Sequence, residues 1–505
     1  MTAADNSRQA WSAAAAAQWG QPDRMNNLET TMWRSERHPQ HSSTVCTLMV
    51  LDRQPQWERL VAAHEWATQL VPRTRERVVE PLLPLGPPAW QLDPHFTLDY
   101  HVRRIELGTR HMFPDLLELA QTLAIAPFDR NRPLWEATLI EGLEGGRAAY
   151  LLKLHHSLTD GIGVIQLISA VQSRTRRHTP NKPTRPPNPA DSAQLADPSQ
   201  ASGSAAATAG RLPEPDRLAV TLTRASELID EAPRRARNLA GAALQWATDP
   251  LHAAGEGQRF TASLRRVLTP TASGASPLFE RRDGRRWLFR TLECPMVGLR
   301  GAGRAAGGSI NDAYVAALLG GMRIYHEQHA TPLEQLSVTV PVSLRRTDDP
   351  MGGNRFAGLM FAAPVGTIDP AERIAEVRGA ILTQLSEPAV DTYAVLTPIV
   401  NWLPSSVGAA VIAGAARADL AASNVPGPTE QTYLAGARVE RIFAFGPLPG
   451  VAVMAVLLSH LGTACIGLTI DGAAVPDPDV LVSAMQQGID EVLGLAPAPS
   501  RGSRK

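Results

Sequence analysis

The sequence predicts an α/β protein whose chain is divided into two halves. Strand-like and helix-like segments alternate on both sides of residues 172–216, which contain eight prolines and no aromatic residue. Such a segment cannot bury enough apolar surface to offset the entropy lost on ordering, so we interpret it as a linker. We expect an N-terminal half at residues 22–171, a helical crossover at 217–274 and a C-terminal half at 275–496.

A strand, an Asp-Gly pair and a helix follow one another once in each half. In the N-terminal half the pair is Asp160-Gly161, and in the C-terminal half it is Asp471-Gly472. An aspartate at this place is suited to cap a helix, because its carboxylate accepts a hydrogen bond from a free backbone N–H. The repeated order favours two copies of one α/β unit.

In the N-terminal half, the spacing of apolar residues predicts the order of the elements. Composition typical of β-strands precedes two segments with helical spacing, and a Glu-Gly-Gly turn joins the next two strands. The elements expected are a strand at Ser43–Leu51, helices at Trp57–Leu70 and Pro114–Ile125, and strands at Leu134–Ile140 and Ala148–His155. A helix capped by Asp160 follows them, with Ile162, Ile165, Ile168 and Val171 on its apolar face.

The C-terminal half begins with a tight-turn signal. Asp283-Gly284 lies between two strand-like segments and predicts a hairpin of Leu278–Arg282 with Arg285–Glu293. Ser309, with Asp312 three residues later, predicts a helix start through a capping box. The remaining elements expected are helices at Val297–Ala306, Ile310–Gln328 and Ala371–Ser386, strands at Leu336–Pro341, Val451–Leu458 and Thr463–Ile470, and a last helix that begins at Asp477-Pro478.

Composition excludes several classes of partner. The 49 lysines and arginines balance 49 aspartates and glutamates, whereas a nucleic-acid-binding protein needs a net basic surface. Three separated cysteines suit a reducing cytoplasm and argue against a disulfide framework or a Cys-rich zinc site. Two uncharged stretches, residues 392–416 and 442–470, contain prolines or glycines that argue against membrane-spanning helices. We interpret both as buried protein, and the first is the candidate for contact with a membrane surface.

The segment His155-His156-Ser157-Leu158-Thr159-Asp160-Gly161 lies where a strand ends and a helix begins. Adjacent strand residues point to opposite faces, so one histidine can face a cleft while the other packs inside. A neutral imidazole accepts a proton near neutral pH, and an acidic residue four positions later suits activation of a hydroxyl. The residues alone leave an alternative open, in which the histidines pack in a core and a turn and Asp160 only caps the helix.

The spacing His-His-x-x-x-Asp-Gly resembles the signature of acyltransferases with the chloramphenicol-acetyltransferase-like fold. Further segments resemble the bacterial wax ester synthase/diacylglycerol acyltransferase family, in the order in which that family has them. They are Pro133-Leu134-Trp135-Glu136, Ser309–Asp312, Val340–Arg345, Gly353–Arg355 and Ser423–Pro428. The resemblance covers nearly the whole chain outside the linker. It implies two chloramphenicol-acetyltransferase-like α/β subdomains with mixed sheets and an active-site channel between them.

One segment departs from the pattern of this family. The family's Pro-Met-His-Val-Gly is replaced here by Pro39-Gln40-His41-Ser42-Ser43, and Asn26 and Asn27 replace more usual residues before it. This region is expected to shape the substrate entrance. We therefore expect the departure to affect acyl and acceptor preference and to leave the catalytic base untouched.

The resemblance implies an O-acyltransferase that moves a long-chain acyl group from acyl-coenzyme A, its co-substrate, to a lipid alcohol. The acceptor would be diacylglycerol, giving triacylglycerol, or a fatty alcohol, giving wax ester. His156 would be the general base of a direct transfer without an acyl-enzyme. Asp160 would shape the turn by capping and by pairing with a basic residue, His155 would support the loop, and Gly161 would permit close backbone approach. No metal or prosthetic group is implied.

The matching motifs also supply candidates for substrate contact. Asn311 and Ser343 are candidates to donate to the developing oxyanion, although helix capping and strand-end hydrogen bonding explain them equally well. Asn424 is the candidate polar contact of the Ser423–Pro428 motif. Pro133 and Trp135 join the set through their own motif.

Water-insoluble substrates imply a cytoplasmic protein that docks on a membrane or lipid droplet without spanning it. Two other functions stay open. One is a related enzyme that takes its acyl group from a carrier protein or acylates another hydroxyl. The other is a non-catalytic lipid-binding or droplet-coating protein that keeps the fold.

Overall fold

The computed structural model describes residues 18–20, 22–37, 40–82, 86–177, 220–221, 275–343, 345, 351–386 and 417–496. Most of the predicted linker and crossover lies outside the described residues. The uncharged stretch 392–416 lies outside them as well. The second uncharged stretch, 442–470, forms buried strands, as the sequence predicts.

In the N-terminal half, the predicted strands and helices are confirmed, with small shifts at their ends. The helices are α1 (Asn27–Ser35), α2 (Trp57–Leu70), α3 (Leu98–His101), α4 (Phe113–Ile125) and α5 (Gly161–Val171). The strands are β1 (Thr44–Leu51), β2 (Glu76–Val79), β3 (Ala89–Leu92), β4 (Val102–Glu106), β5 (Trp135–Leu143), β6 (Arg147–His155) and β7 (Gln172–Ser173).

The C-terminal half contains the predicted helices and several strands that the sequence does not announce. The helices are α6 (Met296–Ala305), α7 (Ile310–Gln328), α8 (Pro370–Leu385) and α9 (Pro478–Leu493). The strands are β8 (Trp287–Pro295), β9 (Gln335–Ser343), β10 (Phe356–Pro364), β11 (Ala418–Val425), β12 (Tyr433–Leu434), β13 (Ala437–Phe445), β14 (Val451–His460) and β15 (Thr463–Asp471). The capping box of Ser309 with Asp312 is present at the start of α7.

The predicted hairpin at Asp283-Gly284 is wrong. Pro277–Phe279 forms a single 3-10 turn, and only the second segment of the expected pair is a strand, β8. The backbone N–H groups of Asp283 and Gly284 donate to the carboxylate of Asp471 at 3.0 and 2.9 Å. Arg282 meanwhile pairs with the buried carboxylate of Asp419. The turn is therefore held against the end of β15, and it needs no strand partner.

Two mixed sheets organise the described residues. The first has the order β4-β5-β6-β1-β13-β12-β7, and the second has the order β10-β9-β11-β14-β15-β8. Strands β12 and β13 come from the C-terminal half of the chain and complete the first sheet. Strand β1 pairs antiparallel with β6 on one side and β13 on the other, with Thr44 opposite His155 and Cys46 opposite Phe445.

Alternating side chains of the first sheet fill two separate apolar regions. Leu152 and Leu154 of β6 pack against helices α2 and α5 on one face, whereas Leu151 faces the region between the two sheets. In that region Phe289 of β8 stacks on Phe445 of β13 with ring centroids 4.0 Å apart. A third core lies between the second sheet and helices α6, α7, α8 and α9. The end of β6 is thereby placed beside the second sheet.

Among the helices of the described ranges, none is both long and apolar enough to span a membrane.

Candidate active site

The loop between β6 and α5 is held by contacts from both halves of the chain. The backbone N–H of His156 donates to the carbonyl of Ser43 at 2.7 Å, which extends the ladder with β1 beyond the end of the strand. Thr159 forms an isolated β-bridge with Gly353. A Cβ atom on Gly161 would lie 2.9 Å from Cγ2 of Val425, so only glycine fits without a shift. The loop therefore lies at the border between the two halves.

Of the two adjacent histidines, His155 points into the protein. Its side chain is fully buried and forms T-shaped ring contacts with Trp33 and Phe128. Its Nδ1 accepts from the backbone N–H of Ser157 at 3.1 Å, and its Nε2 lies 2.9 Å from the Glu36 carboxylate. Burial would raise the pKa of Glu36, but the charge and hydrogen bond of His155 hold that pKa below its usual value. His155 therefore has partners on both nitrogens and supports the loop.

Asp160 holds the loop through both of its carboxylate oxygens. Oδ1 accepts from the N–H of Gly163 at 3.0 Å and caps α5. Oδ2 accepts from Nε of Arg345 at 2.9 Å, and both side chains are buried. Arg345 also donates to the carbonyls of Gly352 and Gly353. These are the capping and pairing contacts that the sequence predicts for this aspartate, and they link α5 to the C-terminal half.

His156 faces the opposite way from His155 and is only partly buried. Its ring lies against Phe356, with centroids 5.3 Å apart. Its Nδ1 is 2.9 Å from Oδ1 of Asn354, whose Nδ2 donates to the carbonyl of His156 at 2.7 Å. Since an amide oxygen only accepts, Nδ1 carries the proton and Nε2 keeps its lone pair. No hydrogen-bond partner for Nε2 is found among the described residues.

The protonation of His156 suits a base. Burial lowers the pKa of this imidazole below its ordinary value, and the hydrogen bond to Asn354 and the charge of Asp160 oppose that shift only in part. A lowered pKa keeps the ring neutral at and somewhat below neutral pH. The site thus presents an unprotonated nitrogen on a partly accessible ring, which can accept a proton from a hydroxyl.

The N-terminal segment that departs from the family pattern contacts the base through Asn354. Asn26 and Glu29 form the capping box of α1, with each backbone N–H bound to the other side chain at 2.9 Å. Oε1 of Glu29 accepts from the backbone N–H of Asn354 at 3.0 Å, and Nδ2 of Asn26 donates to its carbonyl at 3.1 Å. Helix α1 therefore packs on Asn354, the residue that holds His156, and the expectation that the departure leaves the catalytic base untouched stays a prediction.

Two models of one protein family match the chain, one in each half. Residues 25–314 match the model of the wax ester synthase/diacylglycerol acyltransferase catalytic domain, and residues 352–492 match the C-terminal domain of the same family. The chain belongs to this family. The expected resemblance is confirmed, and the protein is an acyltransferase.

Relatives from mycobacteria extend along nearly the whole chain. A Mycobacterium tuberculosis protein that carries the name of a diacylglycerol O-acyltransferase is 35% identical over 480 residues, which cover 95% of this chain and 93% of the relative. A Mycobacterium bovis protein with the same kind of name is 28% identical over 418 residues, covering 80% of this chain and 83% of the relative.

Solved structures support the same fold. The wax ester synthase/diacylglycerol acyltransferase of Marinobacter aquaeolei VT8 aligns with a TM-score of 0.59 at 19% identity, over 94% of this chain and all of that one. The first condensation domain of the calcium-dependent antibiotic synthetase aligns with a TM-score of 0.57 at 14% identity, over 94% and 96%. The two-subdomain α/β fold with mixed sheets is confirmed.

The family-motif residues that suggest substrate contact differ in how they are connected to the His-His loop. Asn424, near the end of β11, precedes Val425, which packs on Gly161, and its amide finds no hydrogen-bond partner within the described ranges. Ser343, at the end of β9, pairs with Phe356 across the ladder and accepts from the N–H of Arg345. Asn311 lies in the first turn of α7, and within the described residues no hydrogen bond or ion pair joins it to the His-His loop.

The Pro-Leu-Trp motif of the family lies at the start of β5, the strand next to β6. Pro133 is buried, and the carbonyl of Leu134 accepts from the backbone N–H of His155 at 3.0 Å. The indole of Trp135 is buried, donates to the carbonyl of Thr74 at 2.7 Å and stacks on His101. Pro133 and Trp135 are thus placed beside the strand that carries the histidines, with Trp135 paired with Leu154 across the ladder.

Three residues that the sequence analysis did not single out complete the site. Asn354 bonds to Nδ1 of His156, and Glu29 in turn bonds to Asn354. Glu36 lies beside Nε2 of His155. Two signals were available in the sequence. Asn26-x-x-Glu29 has the spacing of a capping box, and Asn354 lies in a family motif.

Proposed function

We propose that the protein transfers a long-chain acyl group from acyl-coenzyme A to a lipid alcohol, with His156 as the general base. The observation that carries this proposal is the partly accessible Nε2 of His156, whose lone pair is left free because Nδ1 is bonded to Asn354. Diacylglycerol and fatty alcohols are the acceptors that the family name suggests. The donor is a co-substrate, and no resident cofactor is invoked.

The proposed reaction is a direct transfer. Nε2 of His156 removes the proton of the acceptor hydroxyl, and the oxygen attacks the thioester carbonyl of the donor. A C–O bond forms, the C–S bond breaks, and the imidazolium returns its proton to the leaving thiolate. Asn424 is proposed as a polar contact to substrate because it belongs to a family motif and its amide has no intramolecular partner within the described ranges.

Long-chain acyl donors and lipid alcohols, the substrates that the family name suggests, are poorly soluble in water because their methylene groups are apolar. Substrates of this kind partition into lipid, so we propose that the protein works in the cytoplasm at a membrane or droplet surface.

An assay with purified full-length protein tests the function. Labelled palmitoyl-coenzyme A is offered with a diacylglycerol, a long-chain alcohol and a short-chain alcohol, and ester formation is measured for wild type, His156→Ala and His95→Ala. The last variant makes the same change at an exposed histidine. We expect ester with a lipid alcohol and a loss of about 10²–10⁴-fold in kcat for His156→Ala only. Absence of ester with every acceptor, or full activity of His156→Ala, would overturn the proposal.

A further inference from the structure

The orientation of the Asn354 amide is fixed from several directions. Nδ2 donates to the carbonyl of His156 at 2.7 Å and faces Oε1 of Glu29 at 3.4 Å. The backbone N–H and carbonyl of the same residue are bonded to Glu29 and Asn26. A flipped amide would turn its oxygen toward two acceptors and its NH₂ toward Nδ1 of His156. Because Asn354 is only 4% exposed, water cannot easily repair such a mismatch.

We propose that Asn354 is a positioning residue that fixes the catalytic tautomer of His156, and that the capping box of α1 fixes Asn354. Its Oδ1 can only accept, so it requires a proton on Nδ1 and leaves the lone pair on Nε2. Asn26 and Glu29 hold the asparagine by three hydrogen bonds of 3.0 to 3.4 Å. The inference deepens the proposed function, since a tautomer with the proton on Nε2 has no base to offer the acceptor hydroxyl.

The carboxylates around His156 are bound to other partners, so a neutral amide orients its ring. Asp160, four residues after His156, is paired with Arg345. His155 is paired with Glu36, and Glu29 stands behind Asn354. An amide oxygen at Nδ1 orients the ring without adding a negative charge that would raise its basicity strongly. The Asn354 amide therefore sets which nitrogen of His156 keeps its lone pair, and it leaves the imidazole neutral.

The first test reads the tautomer without any assay of activity. The full-length protein is prepared with ¹⁵N-labelled histidine, and the resonances of His156 are assigned by comparison with His156→Ala. We expect a protonated Nδ1 and an unprotonated Nε2 in wild type above the pKa. In Asn354→Leu we expect the proton to move at least partly to Nε2, while Asn131→Leu, at an exposed asparagine, keeps the wild-type pattern. A wild-type protein with the proton on Nε2 overturns the inference, whether or not the variants fold.

The second test measures kinetics. Asn354→Leu should lower kcat by about 10-fold or more with little change in KM, because binding is kept while the population with a free Nε2 falls. Asn354→Asp in a Glu29→Gln background still accepts from Nδ1 and adds a charge. It should move the acidic limb of the rate profile upward by about one pH unit. Unchanged kcat in the first variant, or an unmoved limb in the second, overturns the inference.

The two proposals fail separately. A wild-type protein with the expected tautomer but no acyl transfer would remove the proposed function and leave the role of Asn354 in orienting the ring. Acyl transfer lost in His156→Ala, together with a tautomer independent of Asn354, would do the reverse.

Discussion

The two Asp-Gly turns of the molecule use the same local chemistry and have different neighbours. Asp160 is 6% exposed and holds α5 and Arg345, whereas Asp471 is fully buried and holds the backbone of Asp283-Gly284. In both turns a carboxylate at a strand end fixes a second segment. In both, the following glycine lets a side chain approach within 2.9 Å of where a Cβ would lie.

The difference lies in what precedes each aspartate and in what faces it. Strand β15 reaches Asp471 through Ile470, which packs in the core of its own half. The loop after β6 begins with His156 and borders Gly353 and Val425 of the other half. A buried carboxylate is therefore enough to build the turn. The reactive group arises only where an imidazole with one unused nitrogen stands at the border between the halves.

The largest stability effect in this comparison is expected from removal of either aspartate. Asp160→Ala leaves Arg345 without its buried carboxylate and removes a helix cap, so we expect a loss of about 3–5 kcal/mol in the free energy of unfolding. Asp471→Ala leaves the N–H groups of Asp283-Gly284 and Ala473 without an acceptor and should cost about 2–4 kcal/mol. Urea unfolding measures both changes.

Enzyme activity separates the two variants. Asp160→Ala should also lower the kcat of the protein that remains folded, because the loop carrying His156 loses its anchor to the C-terminal half. Asp471→Ala should keep a wild-type kcat per folded molecule. The exposed Asp479→Ala serves as the control for removal of a carboxylate. Equal falls in kcat for Asp160→Ala and Asp471→Ala would show that the turns do not differ in the way described.

The pH dependence of the rate tests whether the first turn carries the base. The pKa of His156 is lowered from the ordinary value of 6.5, chiefly by burial. The protonated ring cannot accept a proton, so kcat/KM should fall as pH drops through the lowered pKa, with the midpoint of the fall below pH 6.5. A profile with its acidic limb centred above 6.5 would contradict this prediction.

Loss of activity by acid unfolding has to be distinguished from the fall in kcat/KM that protonation of His156 causes. The folded-state pKa of Glu36 is lowered, so its contribution to stability is complete above the unfolded value of 4.5 and is lost only as pH falls below that value. Loss of the Glu36–His155 pair therefore belongs to a more acidic range. Circular dichroism across the rate profile should show an intact fold where kcat/KM begins to fall.

Local signals predicted the parts of this comparison that depend on local physics. The cap at Asp160 and the capping box at Ser309 follow from side chains that bond to the backbone within three residues. The helix after Asp477 begins with Pro478, whose fixed φ suits the first helical position. The opposite directions of His155 and His156 follow from strand alternation. The hairpin failed because the same kind of local signal, Asp283-Gly284, was satisfied by a carboxylate far along the chain.

The features that the sequence did not predict depend on contacts between residues that are distant along the chain. Strand β13 joins the first sheet beside β1, nearly 400 residues away along the chain, and no periodicity announces that pairing. The partner of His156 is Asn354, which is 198 residues away. A capping box was visible at Asn26-x-x-Glu29, but its contact with Asn354 was not. Such contacts are set by how the two halves pack, which residue spacing alone does not encode.

The smallest changes in the free energy of unfolding are expected from substitution of the two glycines that follow the aspartates. Gly161→Ala would bring a Cβ to 2.9 Å from Cγ2 of Val425, a stiff β-branched side chain in a strand. We expect a loss of about 1–3 kcal/mol in the free energy of unfolding, because α5 or β11 must shift. Gly472→Ala meets the exposed Arg286 side chain, which can swing aside, so we expect a change within about 0.5 kcal/mol.

A double-mutant cycle isolates the contact at the first glycine. Val425→Ala removes the methyl groups that the new Cβ would meet, so Gly161→Ala should cost much less in that background than in wild type. Chemical denaturation of the four proteins gives the coupling energy, and kcat measured alongside shows whether the shift reaches His156. Additive effects of the two substitutions would mean that the packing of α5 on β11 does not depend on this glycine.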